Sequence, residues 1–184
     1  MGEKITSKVI GTLTGDDSLL DWWIGGEISI PFFGGEKVGI SFTDYDPETD
    51  ETFLEEADEA LKHFLALNTA DREAVSHLVY KNCLDFLDTI EPDEADADLR
   101  SITHENEIWK FVQPTEIYVT RRLYEDENIY IQIACSCDWE QEHGLQLVFR
   151  QGKKLTRVSG QDGHLTDADA YGKPDSEDLL LSQF

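Results

Sequence analysis

Apolar residues along this chain repeat at two spacings, and the change from one to the other divides it. In the C-terminal third the period is two. Ile129, Ile131, Ile133, Cys135 and Cys137 alternate with other residues, as do Leu145, Leu147 and Phe149, which places each set on one face of a strand. Strands are predicted over residues 116–122, 129–137, 145–150 and 154–159. Their connections, YEDEN, DWEQEHG and QGK, are short and carry turn chemistry, so the strands form an antiparallel meander. Period two also marks Ile28, Ile30 and Phe32, then Val38, Ile40 and Phe42, punctuated by Gly25-Gly26 and Gly34-Gly35. Pro31 puts the first of these runs at a sheet edge or ends it.

Between these regions the spacing becomes helical. Phe53, Ala57, Leu61, Phe64 and Leu65 make one apolar stripe, predicting a helix over 52–67 that starts at a Thr52–Glu55 capping box or is capped one turn earlier by Asp50. Asn68-Thr69 breaks and recaps the chain. Val75, Leu78, Val79, Cys83, Phe86, Leu87 and Ile90 then line one face of a second helix over 70–90, closed by Pro92. Residues 91–105 are acidic and poor in aromatics and read as a mobile loop; a helical turn at 108–112 should end before Pro114. The expected fold is α+β: a mainly antiparallel sheet, built from the C-terminal β-meander and the N-terminal strands, packed by two antiparallel helices. One domain, 1–184, is expected, with a flexible tail from about residue 173.

Composition narrows the function. With 184 residues, 40% of them apolar, the chain can bury a substantial core. No apolar run is long enough for a membrane span and the N-terminus lacks a signal-peptide pattern, so a cytoplasmic location is expected. Acid outnumbers base 39 to 15, a formal net charge of −24. Such a field repels phosphate backbones and anionic lipid, arguing against direct nucleic-acid or membrane binding, and speeds encounter with a basic protein partner. Solubility alone is the competing explanation. Carboxylates concentrate at 44–59 and 85–107, whereas Arg121, Arg122, Arg150, Lys153, Lys154 and Arg157 lie in the C-terminal third. Asp44, Asp46, Glu48, Asp50, Glu55, Glu56 and Trp139 are the candidate interaction residues.

Candidate chemistry gathers at "CSCDWEQEHGLQLVF", residues 135–149. Cys135 and Cys137 share a face with three isoleucines, the setting of buried, inert thiols. With His143 and His164 they would instead make a zinc site, although C-x-C in an extended strand wraps an ion poorly. Asp138, Glu140, Glu142 and His143 in the turn, with Asp162 and His164, offer carboxylate–imidazole pairs for acid–base work. Asp44, Asp46, Glu48, Asp50, Thr52 and Glu55 have the spacing of a calcium-binding EF-hand loop, but Thr49 stands where that loop needs glycine and a strand precedes it. His63 and His77 sit beside apolar stripes and read as packed or boundary residues. Trp22 and Trp23 read as core or edge packing, with ligand stacking as the alternative. No phosphate loop, nucleophile elbow or zinc-protease helix occurs, and no cofactor is expected.

Three stretches carry a resemblance: Trp109-Lys110-Phe111-Val112-Gln113-Pro114-Thr115-Glu116-Ile117-Tyr118-Val119, the C-x-W-E-x-E-H-G-L-Q-L-V-F motif from Cys137 to Phe149, and Asp162-Gly163-His164-Leu165-Thr166 followed by Ala170-Tyr171-Gly172. Their order resembles an uncharacterised bacterial "domain of unknown function" family that also carries the Trp-Trp and Pro-Phe-Phe segment near its start. The resemblance implies a soluble bacterial protein and brings no catalytic residue. Proteins of this size, acidity and fold class resemble the immunity partners of secreted toxins, and an acidic chain would suit a basic, nuclease-like toxin. The leading expectation is therefore a non-enzymatic acidic interaction protein; the alternative is a small metal-dependent or acid–base hydrolase using the turn at 138–144 with Asp162 and His164.

Overall fold

The structure, a computed structural model describing residues 2–183, joins the period-two segments into one eight-stranded sheet whose strands lie side by side in chain order. These are β1 (Lys4–Ser7), β2 (Gly11–Gly15), β3 (Trp23–Ile30), β4 (Glu36–Phe42), β5 (Val112–Arg121), β6 (Ile129–Cys137), β7 (Leu145–Arg150) and β8 (Lys154–Ser159). Every neighbouring pair is antiparallel except β4 and β5, which run parallel with Gly39 opposite Glu116 and Phe42 opposite Val119. A parallel pair needs a long crossover. Residues 43–111 supply it and contain the main helices.

The meander forms where the alternation is clearest. Val119 faces Ile131, which faces Phe149, and Ile117, Ile133 and Leu147 follow in the next row; all six are buried. This first face of the sheet carries the helical crossover. Phe53, Ala57, Leu61 and Phe64 of α1 (Phe53–Ala66) join those residues in one core. Gly152, at φ +65, lets the β7–β8 turn approach α1 so closely that a Cβ there would sit 1.9 Å from the Ala60 carbonyl oxygen.

The helical layer holds more than the expected pair. Thr52 makes no side-chain cap; Asp50 accepts the Phe53 N–H at 3.1 Å instead. The segment expected as one helix over 70–90 is α2 (Thr69–Ala74) and α3 (Ser76–Leu87), parted at Val75, where φ −104 and ψ 5 leave the helical range. Asn68 accepts the Ala70 N–H while Asp71 accepts that of Asn68. The acidic stretch after α3 is not structureless: it contains a 3-10 turn at Glu94–Asp96 and α4 (Ala97–Arg100), anchored by buried Leu99. A longer 3-10 turn, Glu105–Phe111, leads directly into β5, which therefore starts before Pro114 rather than after it. Pro31 ends β3 by opening a 3-10 turn. No helix among the described residues is long and apolar enough to cross a membrane.

On the second face the chain returns over β6–β8. Tyr130, Val148 and Leu165 form a small separate apolar cluster. Residues 160–181, including α5 (Asp167–Tyr171), are held by two nearly buried guanidiniums. Arg122, 4% exposed, grips Asp169 and Asp175, each through two nitrogens. Arg157 pairs with Asp162 and Asp167. Asp178, also buried, accepts the N–H groups of Ala168, Leu180 and Leu181. This cap leaves the part of the second face over β3–β5 open.

Candidate functional site

The turn between β6 and β7 is organised by one carboxylate. Glu140 accepts the backbone N–H groups of Glu142 and His143 through Oε1, and its Oε2 lies 2.8 Å from His143 Nδ1. The pair holds the Glu140 carboxyl below its ordinary range and raises the imidazole, since each charge favours the other. The His143 side chain is 62% exposed. Gly144, at φ +61, reverses the chain where a Cβ would strike the Cys135 carbonyl. Trp139, proposed above as an interaction residue, is buried and donates its indole N–H to Asn82 of α3 at 3.1 Å; it joins the turn to the helical layer and presents no face to a partner.

The other candidates are dispersed. Cys135 and Cys137 point into the core with Cys83, and burial pushes the Cys83 and Cys137 thiols up, to about 12 and about 11, and Cys135 higher still. Asp162 is taken by Arg157, Gln146 and the His164 N–H. His164 is exposed on the second face. Backbone bonding does bring the two stretches together, with the Gln161 N–H donating to the His143 carbonyl at 3.2 Å. Among the described residues, however, no three His, Cys, Asp or Glu side chains are grouped to hold a metal ion.

The acidic segment at 44–59 is partly used by the fold. Asp44 accepts from Thr120, Asp46 caps the Glu48 N–H, and Asp50 and Glu56 both pair with Arg121. Asp58 is buried against Ser7 and the Lys8 N–H. Asp44, Asp46, Glu48, Glu55 and Glu56 remain exposed.

Sequence reasoning missed the open cleft on the second face. It measures about 550 Å3 and is bordered by Trp22, Tyr118, Asp44, Gln132, Leu123 and His164, a size suited to a small molecule or an inserted side chain. The register explains it: Ser41, Tyr118 and Gln132 lie side by side on β4, β5 and β6, and Trp22 stands edge-on over Tyr118, ring centres 5.5 Å apart. A signal existed in the tandem Trp22-Trp23. Neighbours in extended backbone point to opposite faces, so with Trp23 buried beside Tyr45 Trp22 had to leave the core.

Comparison with known proteins adds one assignment. No curated protein and no solved structure matches the chain. A family model described as a domain of unknown function, DUF6985, matches residues 9–165, from the β1–β2 turn through β8 to Leu165 on the second face. The chain belongs to the DUF6985 family.

Proposed function

We propose that this chain is a non-enzymatic interaction protein whose partner is a basic protein, in the manner of immunity proteins that neutralise secreted toxins. The observation that carries the reading is where the positive charge lies. Arg121, Arg122 and Arg157 face carboxylates of their own chain, and Lys62, Lys81 and Lys110 each pair with a neighbour on the same helix or turn. Asp85, Asp88, Glu91, Asp93, Glu94 and Asp98 meanwhile stand exposed along one stretch. The surface a partner meets is thus more one-sided than the ratio of 39 acids to 15 bases suggests. Such a field raises association rates with a cationic protein. A hydrolase working from the turn at 138–144 would rest on the Glu140–His143 pair, whose imidazole is 62% exposed and whose carboxylate is already engaged by two backbone N–H groups of the turn.

Affinity capture from an extract of the protein's own host, at low salt and with elution by a salt step, tests the reading. The expected product is a protein of basic isoelectric point that rebinds the purified chain. Retention only of acidic proteins, or binding unaffected by the salt step, would contradict it.

A further inference from the structure

We propose that the open half of the second sheet face receives the partner, and that Trp22, Tyr118 and Glu116 together bind an arginine side chain the partner presents. This rests on the basic-partner reading and gives it a place on the surface.

Three of the four tryptophans commit their indole N–H to the fold. Trp23 donates to the Tyr45 carbonyl at 2.9 Å, Trp109 to Ser76 Oγ at 2.8 Å and Trp139 to Asn82 Oδ1 at 3.1 Å. Trp22 donates to no group among the described residues and stands half-buried over Tyr118. Glu116 lies two residues from Tyr118 on the same strand face, against Gly39 of β4, where any Cβ would meet its carboxylate at 2.6 Å. That carboxylate is half-buried, accepts one long hydrogen bond from Ser41 Oγ at 3.4 Å, and faces no cation among the described residues. Burial accordingly raises its carboxyl, opposed only by the Ser41 bond.

A partly desolvated carboxylate without a counter-ion is unfavourable, and a guanidinium relieves it in two ways at once. Its forked N–H groups bond the carboxylate, while its flat face stacks on an aromatic ring. An ammonium supplies the charge without the planar stack. Asp44 puts a negative group on the wall of the adjoining cleft, which Trp22 and Tyr118 line and which Glu116 lies beside. Arg121 and Arg122 also line the cleft, but their charges are balanced by Asp50 and Glu56 and by Asp169 and Asp175. On the cleft side, Leu123 and Tyr124 of the β5–β6 hairpin are 60% and 79% exposed, and Leu20, on the loop that carries Trp22, is 88% exposed. Apolar tips around a charged pocket are the surroundings in which a single buried side chain anchors an interface.

The test is titration of the full chain with N-acetylarginine amide, read from the four indole 15N–1H signals, with sodium chloride and N-acetyllysine amide as controls. The expected result is a saturable shift of the Trp22 signal alone, weaker with lysine, absent with sodium chloride, and about tenfold weaker in E116Q. Unchanged Trp22 with arginine, or equal response in wild type and E116Q, overturns the site. The two proposals fail separately. A basic partner that binds wild type and both W22L and E116Q alike removes the site and leaves the basic-partner reading standing; an arginine-specific shift in a protein that captures no basic partner removes that reading and leaves the site.

Discussion

Gly152 lets the β7–β8 turn lie against α1, and no residue with a side chain fits there. Its left-handed backbone and the Ala60 carbonyl, 1.9 Å from any Cβ, both exclude a side chain. Gly152→Ala should destabilise the protein by about 2–5 kcal/mol, adding left-handed strain to overpacking, measured as a lowered urea midpoint. The buried thiols give a second expectation. Cys83, Cys135 and Cys137 should resist an aromatic disulfide reagent at neutral pH until urea exposes them, because their raised thiols keep the thiolate scarce; rapid native-state labelling would contradict their placement. Their burial was legible, since residues two apart on a strand share a face. The Glu140–His143 pair was visible only as a candidate, because spacing shows that two groups are near and not what they bond. His143 is raised by Glu140, so the pair favours the folded turn below the ordinary imidazole range and loses that contribution as pH rises through the folded value. In E140Q the imidazole should titrate lower, as followed by NMR.

Among the elements, β6, β7 and β8 were legible to the residue, because turn-forming segments bound each of them and β6 alternates apolar and other positions, although a bulge in the β7–β8 pairing sets Leu155 and Val158 three residues apart. β1 and β2 were not. They hold four and five residues, mostly threonine, glycine and other small or polar residues, with Leu13 and Ser7 alone buried, too little alternation to register. The parallel β4–β5 pairing was also hidden, since pairing across a crossover of this length is set by how the helices pack and not by either strand's own pattern. The cap on the second face depends on charge pairing over long sequence distances, from Arg122 to Asp169 and Asp175, which periodicity does not report. Replacing Arg122 with Met should cost about 3–5 kcal/mol by leaving the facing carboxylates unpaired. Hydrogen exchange should then accelerate across residues 160–181 more than in α1. Acid should loosen the same region: Arg122 holds the Asp175 carboxyl below its ordinary value, so that contribution is complete above the ordinary range of about 3.9 and is lost as pH falls through the folded value.

At the scale of the whole molecule, the charge was legible at once and its consequence depends on placement. The fold buries Arg122 and Arg157 and leaves most of its acids at the surface, so a net charge of −24 acts both on the chain itself and on what approaches it. Salt should therefore have opposite effects on folding and on binding. Screening relieves self-repulsion and should raise Tm, whereas it shortens the reach of the field toward a basic partner, to about 8 Å at physiological ionic strength. The association rate of that partner across rising sodium chloride, measured by stopped flow, tests the central claim most directly. A fall of about tenfold or more, with the dissociation rate changing far less, is the predicted result; an association rate flat across the same range would contradict it.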